Sequence, residues 1–121
     1  LCLPVDRNND RESLKSILKA IQFIKDDKAS IAVFPEGYTS RDGKLHTFRS
    51  GVFKIAQKAN VPIVVCTIQN SQYVFRNAKH LKPTDVYLHL LTVIPAEEVQ
   101  SSNTVELAER IHDMMAADLG E

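Results

Sequence analysis

The chain has 121 residues, 44% of them apolar and 25% charged, and its 15 basic side chains are balanced by 15 acidic ones. This length supports one soluble domain with its own core, and the absence of a basic excess excludes the electrostatic footprint of a nucleic-acid binder. Cys2 and Cys66 offer neither a metal-ligand spacing nor a disulfide framework, which fits a reducing compartment, and no run reaches the ~20 apolar residues of a membrane span.

Leu1 to Val5 is a short apolar run that reads as the end of a strand and stops at Asp6-Arg7-Asn8-Asn9-Asp10. With Leu1 in place of a methionine, an N-terminally incomplete domain is expected. Leu14, Ile17, Leu18, Ile21 and Ile24 then fall on one helical stripe, capped by Asn9 or Asp10 and ended by Asp26-Asp27-Lys28. Ile31 to Phe34 is predicted as a buried strand, and Pro35 to Thr47 as a polar loop. A second helix is predicted over Phe48 to Ala59, with Asn60 as the residue that ends it before Val61-Pro62.

Ile63 to Ile68 is β-branched and nearly continuous, the pattern of a strand covered on both faces. Gln69 to Thr84 is polar and basic without a clear period, and Val86 to Ile94 reads as a long fourth strand. Val105, Ala108, Ile111, Met115 and Leu119 make a final amphipathic helix capped by Asn103 or Thr104. Strands alternating with helices predict a single α/β domain over residues 1–121, with a mostly parallel (mixed) sheet flanked by helices.

In such sheets ligands sit beyond the carboxyl ends of the strands. Two segments are predicted there: Asp6-Arg7, and Glu36 to Arg41. Pro35 fixes φ and lacks an N–H, so the turn after Phe34 is stiff, and Gly37 permits a positive φ or the close approach of an anionic group. Arg7 is a bidentate donor suited to a phosphate or one half of a surface Asp–Arg pair; Glu36 is either a ligand-site residue or a carboxylate that caps nearby amides. Arg41-Asp42-Gly43 is a turn signal.

Phe34-Pro35-Glu36-Gly37, Ser40-Arg41-Asp42-Gly43-Lys44-Leu45, Phe48, Gly51, Phe53 and Asn60-Val61-Pro62-Ile63-Val64 together resemble the glycerolipid acyltransferase family, whose best-known members are the 1-acylglycerol-3-phosphate acyltransferases. Leu3-Pro4-Val5-Asp6-Arg7 is similar to the end of an earlier block of that family. The resemblance covers about the first two thirds of the chain and implies a glycerol-3-phosphate acyltransferase-like fold. It also implies transfer of an acyl group from acyl-CoA or acyl carrier protein to a glycerol-phosphate acceptor, giving phosphatidic acid when the acceptor is 1-acylglycerol 3-phosphate. Acyl-CoA or carrier protein is then a co-substrate; no cofactor or metal is expected. The acceptor phosphate falls to Arg7, Glu36 and Gly37, with Ser40 and Arg41 as further candidates. A cytoplasmic membrane face is implied for the full-length protein because its substrates are amphiphiles, while the 121 residues themselves are expected to be soluble and able to self-associate.

The chain departs from the family in three places. Tyr38-Thr39 stands where the family block has Thr-Arg, which removes one arginine, and Val65 replaces the second proline of the last block. The catalytic His-x4-Asp of the family lies ahead of these blocks, so no catalytic residue is assigned within residues 1–121. His80 and Asp85 do have that spacing, but they follow the last block and read as a coincidence. His46, His89 and His112 have no acidic partner at a useful spacing. A binding module that recognises a phosphorylated head group without catalysis is the alternative reading.

Overall fold

The computed structural model describes residue 3 and residues 8–121. The expected first strand, apart from Leu3, and the Asp6-Arg7 pair therefore lie outside the described residues.

Helix α1 (Asp10–Lys25) begins where Asn9 accepts bonds from the amides of Arg11 (3.2 Å) and Glu12 (3.3 Å). Asp10 and Glu12 place negative charge on its first turn and Lys25 places positive charge on its last, which complements the helix dipole. It ends as expected: the Asp26 amide donates to Gln22 O at 2.9 Å, and Asp27 turns out with φ +53°. Ala20 and Ile21 are buried against Ile55, with Ile17, Ile24 and Ile31 packed around them. Leu14 and Leu18, on the same stripe, remain more than half exposed.

Phe48 turns into the core, and a single 3-10 turn (Ser50–Phe53) leads into helix α2 (Lys54–Ala59), shorter than the helix expected over Phe48 to Ala59. Asn60 closes α2 in the left-handed region at φ +55°, and the Val61 amide donates back to Ala56 O at 3.2 Å. Asparagine tolerates that conformation better than most residues because its short polar side chain bonds locally.

Strand β1 (Ile63–Gln69) pairs with β2 (Tyr87–Ile94) in a two-stranded sheet, the one sheet among the described residues. The pairing is antiparallel, from Ile63 opposite Ile94 to Gln69 opposite Tyr87, with a bulge between Val65 and Cys66. This corrects the mostly parallel sheet expected from the alternation of elements. A parallel return needs a crossover of a dozen or more residues, usually a helix packed on the sheet. Here the connection holds one 3-10 turn (Ser71–Tyr73) and the five-residue α3 (Val74–Ala78), neither of which buries a residue. With nothing to pack across the face, the chain reverses and pairs with the strand it left.

Ile31 to Phe34 is a second correction. It enters no ladder among the described residues; Ile31 packs against α1, while Phe34 is 73% exposed. Strand propensity is satisfied only by a partner strand, and none of the described strands pairs with it. A third correction concerns β1, which is covered on one face. Val65 and Thr67 are buried, whereas Val64 and Ile68, with their partners Val93 and Leu88 on β2, face outward.

The buried face meets helix α5 (Thr104–Asp118), started by Asn103, whose side chain accepts from the Val105 amide at 2.8 Å. Leu107, Ala108 and Ile111 of α5 join Phe48, Phe53, Ala56, Val65 and Ile94 in the main core. The short α4 (Ala96–Ser101), not anticipated from the sequence, adds the fully buried Val99. The core thus lies beneath the segment from Phe48 to Phe53, and it anchors the far end of the loop that leaves Phe34.

Candidate functional site

Five contacts set the shape of the loop between Phe34 and Arg49. The Gly37 amide donates to Phe34 O at 3.0 Å, closing a tight turn with Pro35 at its second position, where a fixed φ is favoured. The Glu36 carboxylate accepts from the half-buried His46 amide at 3.0 Å, tying the start of the loop to its return. The Arg49 amide donates to Pro35 O at 2.8 Å. Further along, Asp42 accepts from the Lys44 amide at 3.0 Å, and the Leu45 amide donates to the Glu121 carboxylate at 3.1 Å.

Gly37 sits at φ +76°, as its position after Pro35-Glu36 suggested. Its missing side chain also serves packing: a Cβ there would lie 3.2 Å from Arg49 Nε and 3.3 Å from Arg49 Cδ. The Arg49 side chain therefore crosses directly over the glycine. Among the described residues no carboxylate lies within ion-pairing distance of its guanidinium, whereas Arg110 is paired with Glu98.

Of the expected site residues, the structure brings Glu36 and Gly37 together at the turn. Glu36 takes the amide-capping role of its two readings. Ser40 is half-buried and Arg41 exposed, and neither side chain makes a hydrogen bond or ion pair among the described residues. Arg7 lies outside the described residues. His80 and Asp85 do not meet: Asp85 accepts from Asn70 Nδ2 through its backbone oxygen, and no ion pair joins it to His80.

The expectation that the other histidines lack acidic partners is corrected. His46 Nε2 lies 2.9 Å from Asp42 Oδ1, His89 Nδ1 lies 3.3 Å from Asp118 Oδ2, and His112 is 3.7 Å from Asp113. The spacing of the first pair, i to i+4 across a turn, would have revealed it. The Lys44 amide, and after it the His46 ring, hold the Asp42 carboxyl below its ordinary value. The Thr67 hydroxyl, and after it His89, do the same for Asp118. His46 also faces the Tyr38 ring, with centroids 5.8 Å apart.

Arg49 escaped the reading of the sequence because its contact with Gly37 depends on loop closure. The signal was a basic residue beside Phe48, an apolar anchor that returns the loop to the core. A groove of about 340 Å³ lies at the other end of the loop, lined by Gly43, Lys44, Ile68, Gln69, Asn70, Gln72, Leu119 and Glu121. Its walls include none of Glu36, Gly37, Ser40, Arg41 or Arg49. No grouping of three or more histidine, cysteine or carboxylate side chains among the described residues could hold a metal ion.

The family described as Acyltransferase matches residues 1–69, more than half of the chain and the whole of the loop. Among curated proteins the chain is similar to 1-acyl-sn-glycerol-3-phosphate acyltransferases. That of Limnanthes douglasii is 26% identical over 95% of this chain and 41% of its own length. Those of Salmonella typhimurium and Escherichia coli are 32% and 31% identical, each over 98% of this chain and 48% of its own length. The chain thus spans less than half the length of these relatives. No solved structure matches it. With the blocks around Phe34 to Gly37 and Val61 to Val64 both in place and a family match across residues 1–69, the chain belongs to the glycerolipid acyltransferase family.

Proposed function

We propose that this chain carries the acceptor side of an O-acyltransferase that moves an acyl group from a thioester, of coenzyme A or of acyl carrier protein, to the free hydroxyl of 1-acylglycerol 3-phosphate, giving phosphatidic acid. The braced turn at Glu36-Gly37 is the observation that carries this reading. Its carboxylate is spent on the His46 amide, its glycine is bare, and a guanidinium with no acidic partner among the described residues lies across it. A dianionic phosphate fits such a turn, because a bare backbone and a cation satisfy its oxygens without a competing negative charge.

In the transfer, the acceptor hydroxyl attacks the thioester carbonyl, its proton passes to a general base, and the C–S bond breaks to release the thiol. We place that base outside residues 1–121, in the family's His-x4-Asp block. Residues of this chain then bind and orient the acceptor. Ser40 and Arg7 are further candidate contacts to the acceptor phosphate. No helix among the described residues is long and apolar enough to cross a membrane. An amphiphilic acceptor would bring the full-length protein to a membrane surface.

Acyl transfer measured with 1-acylglycerol 3-phosphate and acyl-CoA tests the proposal. A chain that also carries the His-x4-Asp block should be active, and residues 1–121 alone should not. Activity of the 121 residues alone refutes the placement of the base. Binding of glycerol 3-phosphate without transfer in the longer chain favours a head-group-binding module instead.

A further inference from the structure

We infer that Arg49 supplies the guanidinium that grips the acceptor phosphate, replacing the arginine that the family block has where this chain has Thr39. The inference rests on the reading of the Glu36-Gly37 turn as the acceptor site, and it names the residue that sets phosphate preference there.

Three observations converge on Arg49. Its backbone is fixed to the turn by the 2.8 Å bond from its amide to Pro35 O. Its side chain lies over the turn as well, with Nε and Cδ 3.2 and 3.3 Å from the place of a Gly37 Cβ. Its charge has no acidic partner among the described residues, and the Glu36 carboxylate of the turn accepts from the His46 amide. A planar guanidinium with free N–H donors, held over a backbone without a side chain, suits the two-pronged geometry of a phosphomonoester.

Arg41 is the rival for this role, since it lies within the block itself. Both side chains are exposed, but the three atoms nearest the place of a Gly37 Cβ all belong to Arg49. Bringing an arginine over the turn costs side-chain entropy, and Arg49 already lies across Gly37. The replacement of the block's Thr-Arg by Tyr38-Thr39 has a consequence here too. Tyr38 leans toward His46, and the cation comes from the returning strand of the loop, not from its outgoing one.

The test uses the full-length protein and its Arg49→Met, Arg49→Lys and Arg41→Met variants. KM for 1-acylglycerol 3-phosphate and for acyl-CoA is measured in each, together with equilibrium binding of glycerol 3-phosphate and of inorganic phosphate. Methionine keeps the stem that covers Gly37 and removes only the charge. Arg49→Met should raise the acceptor KM by about tenfold to a hundredfold, the effect of losing a charge-assisted pair, with the acyl-CoA KM within about twofold. Arg49→Lys should recover part of the loss, and Arg41→Met should change the acceptor KM by less than about threefold.

An unchanged acceptor KM in Arg49→Met overturns the inference while acyl transfer by the wild type still stands. So does an equal rise in both KM values, which marks a merely structural role, or a larger effect of Arg41→Met. Arg49-dependent binding of glycerol 3-phosphate by a wild-type protein that transfers no acyl group keeps the inference and refutes the proposed reaction. Binding of inorganic phosphate but not of glycerol 3-phosphate overturns the acceptor assignment, and binding of neither overturns both.

Discussion

Two polar loops of this molecule have similar lengths, each with a histidine, an aspartate and several cations, and they are built in opposite ways. The loop between Phe34 and Arg49 closes on itself: its start is bonded to its end through Glu36 to His46 and Pro35 to Arg49, and its tip through Asp42 to Lys44. The connection between β1 and β2 is held by few long-range bonds, Asn70 to Asp85 and Asn77 to Thr84. It leaves Phe75 at 84% and Leu81 at 95% exposure. The first loop juxtaposes its histidine and aspartate; the second, despite the His-x4-Asp spacing, does not. Composition and motif spacing do not separate these loops. What separates them is whether backbone polar groups are satisfied across the loop, because only then are the side chains held at fixed positions.

The largest expected effect comes from cutting the brace of the first loop. Glu36→Ala leaves the half-buried His46 amide without its partner, at a cost of about 1–3 kcal/mol to the closed loop. If loop closure limits acceptor binding, the acceptor KM should rise about fivefold to a hundredfold. Glu36→Gln keeps an acceptor oxygen in place and should stay within about threefold. Equal effects of alanine and glutamine would mean that the carboxylate charge itself acts on substrate, and that the loop is not held by this bond.

How much of this was legible in the sequence follows from the range of each interaction. The caps Asn9, Asn60 and Asn103 were readable because a cap bonds amides within three or four residues. The strands β1 and β2 were readable as strands, since β-branched runs bounded by polar residues say so locally. Their antiparallel pairing was not, because it depends on whether Val74 to Ala78 packs on the sheet, and that helix buries no residue. Ile31 to Phe34 has the composition of a strand, yet a strand is made by its neighbour. Helix α4 is too short for a period to show, and only Val99 marks it as core. At the site, Gly37 was readable from turn chemistry, while Arg49 required knowing that Phe48 is buried and that the loop therefore comes back.

The second loop supplies a prediction of almost no effect. His80→Ala and Asp85→Asn should each leave acyl transfer within about twofold of wild type, as expected of exposed positions without shared partners. His46→Ala should also keep most activity, because the Asp42–His46 pair belongs to the scaffold of the first loop and not to proton transfer. A thousandfold loss in either histidine variant would identify a base within these 121 residues and reverse the contrast between the loops.

The smallest effect is a local acid transition in the first loop. The Lys44 amide and then the His46 ring hold the Asp42 carboxyl below its ordinary value of 3.8. A carboxyl depressed in the folded state stabilises the structure fully above that ordinary value and loses its contribution as pH falls through the folded value. The bond from the Lys44 amide to the Asp42 carboxylate should therefore keep its full contribution above that ordinary value and lose it only in stronger acid. Asp118, held low by Thr67 and His89, gives way in the same range, so a global melting curve would merge the two. Amide hydrogen exchange separates them, because Lys44 should lose protection in wild type and show no acid step in Asp42→Asn. The amides of His80, Leu81 and Lys82 provide the control in the other loop. An acid step at Lys44 that survives Asp42→Asn would mean that a contact outside the turn, such as that of the Leu45 amide with Glu121, governs the order of the loop.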